Sequence, residues 1–267
     1  MNINQLTILA VNGAIAAGKE ILEVYNGEDF DIKIKKDKSP LTIADIRSNQ
    51  SIKEILKKSD IPVLSEEGKE IAYAERKNWK IFWLVDPLDG TKEFIKKNGE
   101  FTVNIALIEN NYPIAGVVYV PVNKELYYAN TEAGAYKITI EPNEAYSHFE
   151  KLLNKSIRLP FQKTNKYTVV GSRSHMSDET LNFINKLKEK QGDIEIVSKG
   201  SALKLCLVAE GKADIYPRFG PTMEWDTAAG HAIVKFSGAK IYHTDKPDEL
   251  IYNKKSLLNP FFIVERK

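Results

Sequence analysis

Apolar residues recur at every third or fourth position in several stretches of the chain, which is the spacing of a helix with one buried face. The first stretch runs from Leu6 through Ala14 to Val24, and it predicts a helix that ends near Asn26. The same spacing predicts further helices over residues 42–58, 178–190, 202–209 and 227–237.

Short apolar or alternating runs lie between these stretches and predict β-strands. They cover residues 30–35, 62–65, 79–85, 101–109, 114–120, 125–129, 135–140, 167–171, 194–197, 213–217 and 239–242. The earlier strands form an antiparallel meander with a turn at Asn110-Asn111, whereas the later ones alternate with helices. This order predicts an α/β fold of layered sheets and helices, with α+β character in its first half.

A polar, irregular segment over residues 141–161 separates the two patterns. We therefore expect an N-terminal part over residues 1–145, which contains the antiparallel sheet, and a C-terminal α/β part over residues 146–267. At ~100–200 residues per domain, a chain of this length can fold as one compact unit.

The composition excludes several classes of protein. Of the 267 residues, 43% are hydrophobic and 28% are charged, which excludes collagen, low-complexity disorder and a coiled-coil rod. The single cysteine, Cys206, excludes an intrachain disulfide and a metal site built from cysteines.

Charge and hydropathy limit the possible partners. The chain has 38 basic and 36 acidic residues, a net charge of +2. It lacks a basic patch with interleaved aromatic residues, so we predict no nucleic-acid partner. No apolar run approaches the ~18 residues of a membrane span, and residues 1–5 lack the basic start of a signal peptide. We expect a cytoplasmic protein without a transmembrane segment.

Acidic residues follow predicted strands or lie in the first turns of predicted helices. They are Asp45, Glu66, Glu67, Asp86, Asp89 and Asp226. Each has a simpler explanation when it is taken alone. Asp226 would be the N-cap of the following helix, Asp89-Gly90 a turn, and Glu66-Glu67 solvated charge.

The segment from Asp86 to Thr91 favours a functional explanation. Pro87 fixes the backbone, and a tight turn would point both Asp86 and Asp89 inward. Carboxylates that converge without matching cations repel one another, and a hard divalent cation such as Mg²⁺ relieves that repulsion. Gly90 and Thr91 open a short predicted helix over residues 92–97, whose N–H groups favour an anion. This combination suits phosphoester hydrolysis.

Four motifs in this chain resemble, in the same order, those of the inositol monophosphatase superfamily. They are residues 42–45 (TIAD), 64–67 (LSEE), 83–91 (WLVDPLDGT) and 225–230 (WDTAAG). Within the superfamily the chain most resembles the bacterial 3′(2′),5′-bisphosphate nucleotidases. The segments that carry this resemblance are residues 86–104 (DPLDGTKEFIKKNGEFTVN), 171–175 (GSRSH), 203–211 (LKLCLVAEG) and 216–221 (YPRFGP).

The resemblance implies an αβαβα sandwich of the inositol monophosphatase and fructose bisphosphatase type. It implies an enzyme that depends on two or three Mg²⁺ ions and is inhibited by Li⁺. The implied reaction is hydrolysis of adenosine 3′,5′-bisphosphate to AMP and phosphate, with 3′-phosphoadenylyl sulfate as a further substrate and a role in sulfur metabolism. Whether the protein is a monomer or a homodimer, and whether it attaches peripherally to the inner membrane, stays open.

The resemblance also assigns roles to residues of the N-terminal part and to Asp226. The implied metal ligands are Glu66, Asp86, the backbone carbonyl of Leu88, Asp89 and Asp226. Glu66 is preferred to Glu67 because the ligand of the family is the first glutamate of the pair, and it is also counted as catalytic. Thr91 would orient the attacking water, and Asp45 would accept a hydrogen bond from Thr91.

The substrate would be held mainly by the C-terminal part. The implied binding residues are Gly90, Thr91, Ser172, His175, Ser201, Lys204, Arg218 and Asp226. Arg218 can bind a phosphate with two hydrogen bonds. Tyr216 and Phe219 are either core residues or neighbours of the adenine. Related nucleotidases have two serines before the Leu-Lys pair, where this chain has Ser201-Ala202.

Two alternative functions stay open at this point. One is an inositol monophosphatase with broad tolerance of sugar phosphates. The other is a non-catalytic sensor of metals and anions, which would lack the pair that activates water. This chain has both Asp45 and Thr91, which favours an enzyme.

Overall fold

The computed structural model describes residues 1–27, 33–34, 40–141, 144–171 and 177–266. The helices in this part of the chain are α1 (Ile3–Tyr25), α2 (Ile43–Leu56), α3 (Tyr73–Arg76), α4 (Thr91–Ile95), α5 (Phe149–Leu153), α6 (Asp178–Gln191), α7 (Leu203–Glu210) and α8 (Glu224–Phe236). The strands are β1 (Lys33–Ile34), β2 (Pro40–Leu41), β3 (Val63–Ser65), β4 (Ile81–Asp89), β5 (Thr102–Glu109), β6 (Tyr112–Val120), β7 (Glu125–Asn130), β8 (Gly134–Thr139), β9 (Ile157–Arg158), β10 (Tyr167–Gly171), β11 (Ile194–Ser198), β12 (Ile215–Arg218), β13 (Lys240–His243) and β14 (Phe262–Glu265).

The larger sheet has seven strands in the order β3-β4-β5-β6-β7-β8-β9. Only β3 and β4 pair in parallel, and the other neighbours are antiparallel. Side chains along β4 alternate between two cores: Phe82 and Leu84 enter one, whereas Trp83 and Val85 enter the other. Because both faces are covered, this strand is apolar from Ile81 to Val85 instead of alternating with polar residues.

Helices and sheets form five layers. Helices α1 and α2 cover one face of the larger sheet, and α7 and α8 cover the other. The far side of α7 and α8 meets a second sheet with the strand order β11-β10-β12-β14-β13. Helix α6 covers the outer face of that sheet through Ile184. The predicted αβαβα sandwich is confirmed.

Gly116 allows α8 to lie unusually close to the larger sheet. A Cβ atom at this position of β6 would lie 2.5 Å from the carbonyl oxygen of Ala229 and 2.7 Å from the Cβ of Ala232. Such a contact would force the helix away from the strand. Helix α8 also contacts β4, and its N-terminal turn lies at the end of that strand, where the acidic motif is.

Most predicted elements are confirmed within a few residues. The predicted turn at Asn110-Asn111 joins β5 to β6, and both residues have positive φ values, 48° and 70°, as a tight hairpin turn between twisted strands requires. Helix α8 begins at Glu224, earlier than the predicted residue 227. The sequence patterns did not predict α3, α5, β2, β9 or β14.

The proposed division at residues 145 and 146 stays a prediction, and β9, the last strand of the larger sheet, lies beyond it. None of the helices in the described ranges has both the length and the apolar character that crossing a bilayer requires.

Candidate active site

Three carboxylates converge where β4 ends and α8 begins. Asp86, Asp89 and Asp226 each offer one oxygen, and these oxygens lie within 4.8 Å of one another. Asp86 is buried, and the other two are half-buried at the edge of a cleft. The sequence predicted that these residues lie together, and the structure brings them together.

A bulge at the end of β4 explains how Asp86 and Asp89 face the same side. The prediction of a tight turn here was wrong, because β4 continues to Asp89. Asp86 pairs with Asn104 and Asp89 with Thr102, so β4 has one residue more than β5 between these pairs. Residues three apart on a regular strand point to opposite faces, and the extra residue returns Asp89 to the face of Asp86. The N–H of Leu88 donates to Asp86 Oδ1 at 3.1 Å.

Asp226 lies in the first turn of α8, but it is not the N-cap. The N-cap position belongs to Met223, so the simpler explanation of Asp226 as the cap is wrong. Its Oδ2 accepts a hydrogen bond from the N–H of Met223 at 2.8 Å. A carboxylate in this turn is favoured by the helix dipole, and the bond back to Met223 holds it near the end of β4.

Glu66 follows β3, which runs parallel beside β4. Its backbone N–H donates to the carbonyl oxygen of Val85 at 3.1 Å, directly before Asp86. The charge of Glu66 acts on the Asp86 carboxyl and raises its pKa. This electrostatic effect associates Glu66 with the cluster, but the oxygens that lie within 4.8 Å of one another are those of Asp86, Asp89 and Asp226, and the role of Glu66 as a metal ligand stays a prediction.

The cluster carries more negative charge than its surroundings neutralise. Burial, followed by the charges of Glu66, Asp89 and Asp226, raises the pKa of Asp86 well above its ordinary value. Burial and Asp89 raise the pKa of Asp226 to about 8. Buried carboxylates with raised pKa values either keep a proton or are stabilised by a bound cation. Because all the donors are oxygen atoms, the set fits a hard divalent cation such as Mg²⁺.

Thr91 and Asp45 lie beside this cluster on α4 and α2. Asp45 is buried, and its Oδ2 accepts hydrogen bonds from the N–H and hydroxyl of Thr42 at 2.7 and 2.6 Å. Its Oδ1 lies 3.4 Å from the Thr91 hydroxyl, which is also 3.4 Å from the carbonyl oxygen of Leu88. Asp45 is therefore held with one oxygen facing Thr91.

Gly90 joins β4 to α4 with a left-handed backbone, φ 91°. A side chain at this position would be strained and would lie 3.4 Å from the Cβ of Ser201. The Ser201 hydroxyl itself donates to Asp89 Oδ2 at 2.5 Å. Gly90 and Ser201, both predicted to bind substrate, thus lie at the acidic cluster.

A cleft of 470 Å³ extends from the acidic cluster, and its lining includes five cationic residues besides the acidic Glu93 and Glu100. The cationic residues are Lys92, Lys96, Lys199, Lys204 and Arg218. Burial lowers the pKa of the Lys204 ammonium to about 8, although Asp89 acts in the opposite direction. The buried Nε of Arg218 has no hydrogen-bond partner in the described residues. A cleft that joins a carboxylate cluster to several cationic side chains suits a metal-bound substrate with a second anionic group.

The two aromatic candidates differ in position. Tyr216 is buried and lines the cleft. Phe219 packs between the rings of Phe183 and Phe261, with centroid distances of 5.7 and 6.1 Å. Ser172 and His175 lie outside the described residues.

Several contacts of the site were not predicted. Asn104 Nδ2 donates to Asp89 Oδ2 at 3.3 Å, and the Thr102 hydroxyl lies 2.6 Å from that of Ser201. Glu100 Oε2 accepts from the N–H of Gly200 at 2.9 Å. Thr102 and Asn104 are polar residues within an apolar strand run, and that interruption is a signal that could have identified them.

Comparison with known proteins gives consistent matches. The model of the inositol monophosphatase family matches residues 2–261. The 3′(2′),5′-bisphosphate nucleotidase CysQ of Salmonella typhimurium is 48% identical over 252 residues, which cover 93% of this chain and 94% of that protein. The CysQ protein of Escherichia coli K12 is 45% identical over 266 residues, with 98% of each chain covered.

A solved structure is similar over almost the whole chain. The crystal structure of CysQ from Bacteroides thetaiotaomicron, described as a bacterial member of the inositol monophosphatase family, superposes with a TM-score of 0.91 at 50% sequence identity. The match covers 99% of this chain and 98% of that one.

Proposed function

The chain belongs to the inositol monophosphatase family, and from that premise we propose that it is a Mg²⁺-dependent 3′(2′),5′-bisphosphate nucleotidase. It hydrolyses adenosine 3′,5′-bisphosphate to AMP and phosphate, and is therefore a phosphoric monoester hydrolase. The observation that carries this function is the convergence of Asp86, Asp89 and Asp226 within 4.8 Å at one end of a cleft that also contains Lys204 and Arg218.

Five groups would hold two or three Mg²⁺ ions. They are the carboxylates of Glu66, Asp86, Asp89 and Asp226 and the backbone carbonyl of Leu88. The raised pKa values of Asp86 and Asp226 support this role, because cations would replace the protons that the cluster otherwise retains. When bound, Mg²⁺ supplies charge neutralisation at the phosphate and makes a nearby water more acidic.

Thr91 and Asp45 would position the attacking water. The Thr91 hydroxyl accepts a hydrogen bond from the water and directs its own proton to Asp45 Oδ1. The oxygen of the water attacks phosphorus in line with the 3′ oxygen and releases one proton to solvent as the new P–O bond forms; the P–O3′ bond breaks, and the 3′ oxygen takes one proton from solvent. Transfer of this type depends on positioning and on electrostatic stabilisation. The N–H groups of Gly90 and Thr91 would hold phosphate oxygens.

The cationic residues of the cleft would select the second phosphate. Lys204 and Arg218 line the cleft, the Nε of Arg218 has no hydrogen-bond partner among the described residues, and charge-assisted bonds from such groups are the strong ones for phosphate. Ser201 would contribute through Asp89, which it already contacts. Ser172 and His175 remain predicted substrate residues. We further propose a cytoplasmic enzyme that removes a by-product of sulfate assimilation.

The test is phosphate release by the purified protein from a panel of substrates. The panel contains adenosine 3′,5′-bisphosphate, 3′-phosphoadenylyl sulfate, adenosine 3′-monophosphate and inositol 1-phosphate. We expect the highest kcat/KM with adenosine 3′,5′-bisphosphate, no turnover after chelation of Mg²⁺, and inhibition when Li⁺ is added. A strong preference for inositol 1-phosphate would instead support the sugar-phosphate alternative, and no turnover of any substrate would support the sensor.

A further inference from the structure

The side chain of Asn49 bridges the two residues that flank Glu66. Its Oδ1 accepts a hydrogen bond from the Ser65 hydroxyl at 2.9 Å, and its Nδ2 donates to the carbonyl oxygen of Glu67 at 2.9 Å. Asn49 and Ser65 are both buried. Water therefore competes little for these bonds, and their loss would leave polar groups without partners.

Glu66 lies in a tight turn whose backbone is also fixed. The N–H of Gly68 donates to the carbonyl oxygen of Ser65 at 3.0 Å and closes the turn. The N–H of Glu66 donates to Val85 at the end of β4 at 3.1 Å. These backbone bonds attach the start of the turn to the sheet, whereas Asn49 attaches both of its flanks to α2.

Helix α2 also holds Asp45, which lies four residues before Asn49. Residues at this spacing share one face of a helix. One helical turn of α2 thus carries both the Asp45 carboxylate, which faces Thr91, and the Asn49 amide, which is hydrogen-bonded to the turn that contains Glu66. Any shift of Asn49 relative to the turn that contains Glu66 would therefore change the distance between Glu66 and the Asp45–Thr91 pair.

We propose that Asn49 is a positioning residue that orients Glu66 toward the acidic cluster and in register with the Asp45–Thr91 pair. This inference rests on the proposed metal-binding role of Glu66. Residues that orient the ligands of a metal site typically change metal affinity or activity by about 10–100-fold when they are replaced. Replacement of Asn49 should therefore weaken Mg²⁺ binding.

The experiment compares Asn49→Ala with Gln50→Ala, its exposed neighbour on the same helix. Thermal unfolding is measured without Mg²⁺ and over a Mg²⁺ titration, and the Mg²⁺ concentration for half-maximal phosphate release is measured in parallel. For Asn49→Ala we expect both measures to report Mg²⁺ binding weakened by about 10–100-fold. Gln50→Ala should match the unchanged protein. Ser65→Ala removes only one of the two Asn49 bonds and should give a smaller change in the same direction.

A purely structural role for Asn49 gives a different result. It would lower the unfolding temperature without Mg²⁺ but leave the Mg²⁺ dependence of both measures unchanged, and this outcome would overturn the inference. If Asn49→Ala fails to fold, Ser65→Ala decides alone by the same criterion.

The variant Glu66→Gln distinguishes the ligand role of Glu66 from the positioning role of Asn49. If it leaves Mg²⁺ binding unchanged, the ligand role of Glu66 is wrong. If it weakens binding and both Asn49→Ala and Ser65→Ala do not, only the inference about Asn49 is wrong.

Discussion

The Thr91 hydroxyl lies 3.4 Å from Asp45 Oδ1, although 46 positions separate the two residues in the chain. The other oxygen of Asp45 is occupied by Thr42, so the carboxylate cannot rotate freely away from Thr91. Hydrogen bonds of catalytic groups are often long before substrate binds. The separation is therefore compatible with a pair that tightens around the attacking water.

Thr91→Ala should lower kcat by about 100-fold or more, which is the usual contribution of a positioned group in proton transfer. Thr91→Ser retains the hydroxyl and should keep most of the activity. Steady-state phosphate release at saturating Mg²⁺ measures both variants. Equal activity of Thr91→Ala and Thr91→Ser would remove the hydroxyl from the mechanism.

Asp89→Asn should fold and lose activity by on the order of 100-fold, as when one charge-stabilising group is removed from an active site. Its amide oxygen can still accept from Ser201 and Asn104, which contact Asp89 Oδ2 at 2.5 and 3.3 Å. Removing one charge also relieves repulsion with Asp86 and Asp226. The variant should therefore be at least as stable as the parent without Mg²⁺, and should gain less stability when Mg²⁺ is added. Thermal unfolding with and without Mg²⁺ checks both statements, and normal turnover would contradict the ligand role.

Lys204→Met should raise KM for adenosine 3′,5′-bisphosphate by about 10–100-fold, which corresponds to one lost hydrogen bond to a charged group. Adenosine 3′-monophosphate lacks the 5′-phosphate and is the matched control, and its KM should change little. Initial rates with both substrates give the comparison. An equal rise in both KM values would mean that Lys204 acts on the 3′-phosphate or on the cleft as a whole.

The layered fold could be predicted because long periodic segments determine it. Helix α1 and the strands from β4 to β8 bury regular sets of apolar residues, and such sets are visible in the sequence. Helices α3 and α5 contain only four and five residues, too few for a period of 3.6 to appear. Strand β9 is exposed at an edge of the sheet and has no apolar pattern.

The acidic residues of the site could also be predicted, but their surroundings could not. The bulge between Asp86 and Asp89 depends on the register with Asn104 and Thr102 on β5, and sequence spacing does not contain that register. Asn49 reaches Ser65 and Glu67, on either side of Glu66, only through the packing of α2 beside β3. Contacts of this kind depend on how elements pack, whereas the acidic motifs follow from residue order alone.

A buried ion cluster away from the proposed metal site allows a prediction about stability. Glu210 on α7 is fully buried, and Lys137, Lys212 and the Tyr127 hydroxyl contact it at 2.6, 2.5 and 2.6 Å. Burial alone would raise the pKa of Glu210. Hydrogen bonds from Lys137, Lys212 and Tyr127 outweigh burial and hold that pKa below its ordinary value of 4.5. The stabilisation is therefore fully present above pH 4.5 and is lost as the pH falls through the lower pKa of the folded state.

Lys137→Met should lower the free energy of unfolding at pH 7 by about 3 kcal/mol, because it removes one partner of a buried charge. In the variant only Lys212 and Tyr127 oppose the effect of burial, so the pKa of Glu210 should be higher than in the parent, and the carboxyl should take a proton at a higher pH. The difference in free energy of unfolding between the variant and the parent should therefore be smaller at pH 4.5 than at pH 7. Urea unfolding of the parent and of Lys137→Met at pH 7 and at pH 4.5 measures this difference.

Lys155→Met is the matched control. Lys155 is 60% exposed where it pairs with Glu144, and exposed pairs contribute only about 0–1 kcal/mol. A deficit that is the same at both pH values, or no larger than that of Lys155→Met, would show that Lys137 does not neutralise Glu210.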